Sequence, residues 1–185
     1  MKKNYFILLI LISFLTSAYK TLDVYEISAV NNGYFHNNIG LNYMAEKVYY
    51  AAIQEFKIAI SLNPETQATS VYYNNIGNAY MEIAHPDLAL DAYLNAIRLN
   101  HFNFSYYQNL AKCYKALDLV GRKIKEYEQK NSPLDQVMLG LLYIENGDVK
   151  HGIITLDNFV MSEPDLIITF SVKKYVRAKV KEMNS

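Results

Sequence analysis

Small and bulky residues recur along this chain at helical spacing. Asn38-Ile39-Gly40-x-x-Tyr43 is followed by Asn75-Ile76-Gly77-x-x-Tyr80, Asn109-Leu110-Ala111-x-x-Tyr114 and Met138-Leu139-Gly140-x-x-Tyr143. A small residue and a tyrosine three positions on share one side of a helix. The small residue marks where a second helix comes close. The steps between small residues are 37, 34 and 29. A period of about 34 residues points to stacked helical hairpins. Each phrase also has a second half. After Gly40 come Ala52, Phe56, Ala59 and Pro64; after Gly77 come Ala89, Tyr93 and Ala96; after Gly140 come Gly152, Leu156, Phe159 and Pro164.

The pattern predicts helix pairs at 34–46 with 48–61, 70–83 with 86–99, 104–117 with 119–130, and 134–146 with 149–162. Pro64 ends one helix, and Pro86 opens another at a position where its missing N–H costs nothing. Gly147-Asp148 makes the turn inside the fourth pair. A further helix is expected at 165–183, with Ile168, Val172, Val176, Val180 and Met183 on one face and Lys173, Arg177 and Lys181 in an adjacent row. Residues 19–32 hold Leu22, Val24 and Ile27 without a period and are assigned to no element.

On these phrases the chain resembles the tetratricopeptide repeat (TPR) family across residues 33–166, with Tyr73–Asn100 the unit that matches best. The resemblance implies an all-α, right-handed solenoid of about four helix-turn-helix repeats. The units fall at about 33–66, 70–103, 104–132 and 133–166, and residues 167–185 form a basic amphipathic capping helix. The units depart from the family pattern in places. Lys123 and Lys130 stand where small residues are expected, so the second helix of the third unit should be loose or turned toward water. His101 replaces the terminal proline of the second unit.

In that family the first helix of each pair lines a concave groove where peptides bind. Carried over, this nominates Asn37 and Leu41, then Asn74, Asn78 and Met81, then Gln108, Lys112 and Lys115, and finally Leu134, Val137, Leu141 and Ile144. Asn and Gln suit the backbone of an extended peptide, because each can donate and accept. Lys112 and Lys115 suit an acidic group. Two structural alternatives stand beside this. Asn38, Asn75 and Asn109 match a residue common throughout the family, and the aliphatic stripe of the fourth unit can equally pack on its neighbours. Some members grip a C-terminal carboxylate with basic residues. The matching positions in the first two units are Asn37, Leu41 and Asn75, so that ligand class is not expected.

Composition narrows the partner. Lys+Arg and Asp+Glu balance at 18 each, but unevenly along the chain. Residues 19–166 carry 11 basic and 17 acidic residues, whereas residues 167–185 carry 5 basic and 1 acidic. An acidic body lacks the basic face that nucleic acid needs. The final helix has two readings, a solvating cap or a basic face for anionic lipid, polymer or an acidic protein, and it can serve as both. The single cysteine, Cys113, builds no disulfide or metal set and reads as a small buried hydrophobe.

Met1 to Ala18 has the grammar of a secretory signal: Lys2 and Lys3, an apolar run from Tyr5 to Leu15, then Thr16-Ser17-Ala18 for a peptidase. Cleavage there starts the mature chain at Tyr19. The rival is an uncleaved anchor formed by residues 4–19, shorter than the roughly 20 apolar residues a spanning helix needs. Export to a bacterial envelope or secretion follows from the first reading.

Chemistry is hard to find. His36, His85, His101 and His151 fall in different units and make no metal-spaced pair. There is no G-x-S-x-G and no phosphate-cradling glycine loop. The expected function is therefore a non-catalytic, exported scaffold without cofactors, binding another protein or peptide segment. The alternative is a membrane-associated structural component of an envelope assembly.

Overall fold

The computed structural model describes residues 33–184. The expectations for the signal, the anchor and residues 19–32 lie outside the described residues. Nine helices and no strand occur among the described residues: α1 (Gly33–Ala45), α2 (Tyr49–Leu62), α3 (Gln67–Glu82), α4 (Pro86–Leu99), α5 (Phe104–Ala116), α6 (Val120–Tyr127), α7 (Pro133–Glu145), α8 (Val149–Ser162) and α9 (Thr169–Met183). Among the described residues the architecture is an all-α helical repeat solenoid of four hairpins plus one further helix.

The small residue of each phrase is where its two helices meet. A Cβ on Gly40 would stand 2.5 Å from the Phe56 ring, and one on Gly77 would stand 2.5 Å from the Tyr93 ring. Ala52, Ala59, Ala89 and Ala96 are fully buried on the facing helices. One core runs from the second hairpin to α9 through Tyr93, Leu110, Met138, Leu142, Leu156, Phe159 and Val172. A smaller one joins the first two hairpins through Ala52, Phe56, Ile76 and Ala92.

The turns inside the hairpins repeat in detail. The backbone N–H groups of Val48, His85, Leu119 and Asp148 donate to the carbonyls of Tyr43, Tyr80, Tyr114 and Tyr143 at 2.8–2.9 Å. Those of Lys47, Ala84, Asp118 and Gly147 donate to Met44, Met81, Lys115 and Ile144 at 3.0–3.1 Å. This is the Schellman closure, and it needs a left-handed residue after each first helix. Lys47, Ala84, Asp118 and Gly147 supply it, with φ of 61°, 59°, 56° and 92°. Only the fourth is glycine. Gly147→Ala should therefore destabilise the protein by about 1 kcal/mol in urea denaturation. No atom lies within 4 Å of the added methyl, so the cost is one of backbone alone.

Three helices differ from their predicted spans by more than one residue at an end. α3 begins at Gln67, ahead of residue 70, because Thr66 and Thr69 form a reciprocal capping box and the Thr69 hydroxyl donates to the Asn63 carbonyl. α9 begins at Thr169, after residue 165, and the Thr169 hydroxyl donates to the Glu163 carbonyl in the same way. α6 stops at Tyr127 instead of reaching residue 130 and buries only Val120 and Ile124. Lys123 within it and Lys130 just beyond it are held on the surface by local pairs. Lys123 and Lys130 reach Glu126 at 2.7 and 2.9 Å, holding that carboxyl down to about 2. Lys130 lies 4.0 Å over the Tyr127 ring.

Cys113 is fully buried in α5, where its thiol donates to the Pro86 carbonyl at 3.1 Å. Burial pushes the thiol up to about 11. Alkylation by iodoacetamide at neutral pH should run at least about a hundred-fold slower in the native protein than in denaturant.

Candidate functional site

A cavity of about 360 Å³ opens on the side formed by the first helices of three consecutive hairpins. Met44 comes from α1, Asn78, Met81 and Glu82 from α3, and Asn109 and Lys112 from α5, with Tyr93 of α4 at the floor. The 37- and 34-residue steps place these residues side by side, because each hairpin repeats the orientation of the one before it.

Asparagine amides tie the first helices together below the cavity. Asn75 Nδ2 of α3 donates to Asn37 Oδ1 of α1 at 2.9 Å, and both side chains are buried. Asn109 Nδ2 of α5 donates to Asn74 Oδ1 at 2.8 Å and to Asn78 Oδ1 at 3.2 Å. Asn78 Oδ1 also accepts from the Tyr93 hydroxyl at 2.9 Å. Tyr93 is 2 % exposed, and burial raises its phenol well above the ordinary range.

These bonds decide what the cavity offers. Both donors to Asn78 converge on its carbonyl oxygen, which leaves Nδ2 without a partner among the described residues. No buried side-chain nitrogen or oxygen among the described residues lacks a partner, so Nδ2 meets solvent. Lys112 is exposed and makes no ion pair among the described residues. A hydrogen-bond donor and a cation thus stand beside the methionine side chains. Glu82 closes one edge, its carboxylate accepting from Tyr49 at 3.2 Å.

Of the nominated residues, Asn78, Met81 and Lys112 are brought together here. Asn74 sits one bond away through Asn109. Leu41 is exposed on α1 and Gln108 half-buried on α5, both outside the cavity lining. Lys115 is committed to Glu145 at 3.2 Å, a pair that ties α5 to α7. Asn37 is buried in its bond to Asn75 and presents no groove surface. Val137 and Leu141 are interior, with Leu134 and Ile144 packed against the same core, so the fourth unit's stripe is packing and not a pocket. Met44, Glu82, Tyr93 and Asn109 were not among the nominated residues. For Met44 the signal was present, since it stands to Gly40 as Met81 stands to Gly77.

The described residues contain no group of three or more His, Cys, Asp or Glu side chains that could hold a metal. His36 is paired with Glu55 at 2.7 Å across the first hairpin, and His151 stacks on Tyr143 at 4.2 Å. No helix among the described residues is long and apolar enough to cross a membrane.

Residues 71–101 match the family model of a tetratricopeptide repeat. Among solved structures, the chain is similar to the crystal structure of MamA, with 22 % identity, 72 % of this chain and 80 % of that chain covered, and a TM-score of 0.50. It is also similar to Pseudomonas aeruginosa pilF, with 15 % identity, 78 % and 67 % covered, and a TM-score of 0.50. At these identities the likeness is one of fold. No curated protein matches the sequence.

Proposed function

We infer, from a chain that carries a tetratricopeptide repeat at residues 71–101 and folds as stacked helical hairpins, that the protein is a non-catalytic scaffold holding a segment of another protein in its concave groove. The observation that carries this reading is the cavity shared by α1, α3 and α5, where Asn78 Nδ2 and Lys112 are left as unspent donors beside Met44 and Met81. Donors of that kind select acceptors. The bound segment is an extended stretch that offers backbone carbonyls and a carboxylate, with an apolar side chain on the methionines.

The test is quantitative co-purification from native cells, wild type against Lys112→Glu. Lys112 is exposed and supports no other side chain, so the variant keeps its helicity. Capture of the partner should fall at least about tenfold, since a lost charge pair becomes a like-charge clash. The same partners in the same amounts would remove the groove from the account.

Export is a separate proposal and rests on the sequence of residues 1–18. An intact mass starting at Tyr19 supports it. Retention of the first 18 residues in the membrane fraction would favour the membrane-associated structural component instead.

A further inference from the structure

A shift of 100 positions carries Gly40, Phe56, Pro64 and Thr69 onto Gly140, Leu156, Pro164 and Thr169. The structure honours that shift. The Thr69 and Thr169 hydroxyls both donate to the carbonyl six residues earlier, so α9 joins α8 as α3 joins α2. α9 therefore holds the place of the first helix of a fifth hairpin. In α3 the corresponding face, with Tyr73, Gly77 and Tyr80, is turned toward α4. In α9 those positions are Lys173, Arg177 and Val180, and no described helix covers them.

The replacement of glycine by Arg177 changes what can lie there. A bare glycine admits a helix into direct backbone contact, whereas an arginine holds it off and demands a charge partner. Lys173, Lys174, Arg177 and Lys181 are exposed and make no ion pair among the described residues; only Lys179 is paired, to Glu182 at 2.7 Å. Beside this row an apolar cavity of about 160 Å³ lies between α8 and α9, lined by Ile153, Ile154, Val180 and Met183 with Lys150 and Asn184 at its rim. Ile154, Val180 and Met183 remain 49 %, 40 % and 54 % exposed.

We propose that the open face of α9 binds an acidic amphipathic helix of a partner protein. Its aliphatic residues sit over Val180, Met183 and Ile154, and its carboxylates meet Lys173, Arg177 and Lys181. A helix is the occupant because the equivalent face is covered by a helix elsewhere in the array. Lys173, Arg177 and Lys181 also rise one turn at a time, the spacing of carboxylates on a facing helix. A lipid surface fits less well, because Glu163 and Asp165 stand in the loop that leads to the exposed Ile167 and Phe170. This site shares no residue with the concave groove.

The test is fluorescence anisotropy on the full chain. The probe is a labelled synthetic helix of about five turns with leucine on one face and glutamate on its flanks, and the control carries lysine for glutamate. The glutamate peptide should bind, more weakly as salt rises, and lose at least about tenfold in affinity with Arg177→Glu and with Val180→Asp. Both changes are at exposed positions, and circular dichroism checks the fold. Lys112→Glu should leave this binding unchanged. Failure of the glutamate peptide to bind overturns the proposal. So does equal binding of the lysine control, indifference to either α9 variant, or loss with Lys112→Glu. In the first case, binding to phosphatidylserine vesicles would assign the face to lipid, and self-association abolished by Arg177→Glu would assign it to a second copy.

Discussion

Gly152→Ala is expected to lower stability by about 3 kcal/mol, seen as a reduced urea midpoint with an unchanged slope. The reason lies in the fourth hairpin. The added methyl would stand 2.5 Å from the Gly140 carbonyl oxygen and 2.5 Å from Cγ1 of Ile144. A side chain can swing aside, but the carbonyl belongs to the backbone of α7, so the helices must separate. Separation in turn loosens Leu156, whose Cγ already stands 2.6 Å from where a Gly140 Cβ would be. Gly121→Ala is the matched control. It lies in α6 with nothing within 4 Å of the new methyl, and should raise stability by about 0.5 kcal/mol through the lost backbone freedom of glycine. Equal midpoints for the two variants would show that α7 and α8 part at no cost.

Asn78→Ala is expected to cost about 2 kcal/mol, although the residue lines the candidate cavity. Its oxygen receives both the Tyr93 hydroxyl and the Asn109 amide, at 2.9 and 3.2 Å. Truncation leaves a phenol in the core without its acceptor. Tyr93→Phe removes the donor in turn, so the double variant should be less destabilised than the sum of the singles by about 1 kcal/mol. Strict additivity would show that the bond contributes nothing. Loss of partner capture in an Asn78 variant therefore mixes binding with folding, which is why Lys112 is the cleaner probe of the groove.

The recurring phrase made the hairpins legible because close helix packing is a local demand repeated at a fixed interval. Gly40 with Phe56 and Gly77 with Tyr93 meet as their spacing implied. The helix ends were harder to read. Thr69 and Thr169 are hydroxyl residues among many, and what makes each a brace is a carbonyl that only the folded loop brings near. The candidate cavity was legible in part. Asn78, Met81 and Lys112 stand on corresponding helix faces and share a cavity, whereas Asn37 and Leu141 stand on the same face of their helices and are buried. Register fixes the face of a helix but not how deeply its neighbour covers it.

By itself the sequence determined the fold class and the face each first helix turns toward its partner, because these follow from helical spacing and from a phrase repeated along the chain. The tertiary structure decided which donors remain free. Asn74, Asn78 and Asn109 are alike as residues, and only their meeting across α3 and α5 spends the oxygens and leaves Asn78 Nδ2 facing solvent. It also decided that a methyl is crowded at 152 although Ala52 and Ala89 hold the equivalent place in the first two hairpins, since a Cβ there would stand 2.5 Å from the Gly140 carbonyl oxygen. Hydrogen-bond satisfaction and interhelical distance are set by pairs of residues far apart in the chain, and no local pattern encodes them.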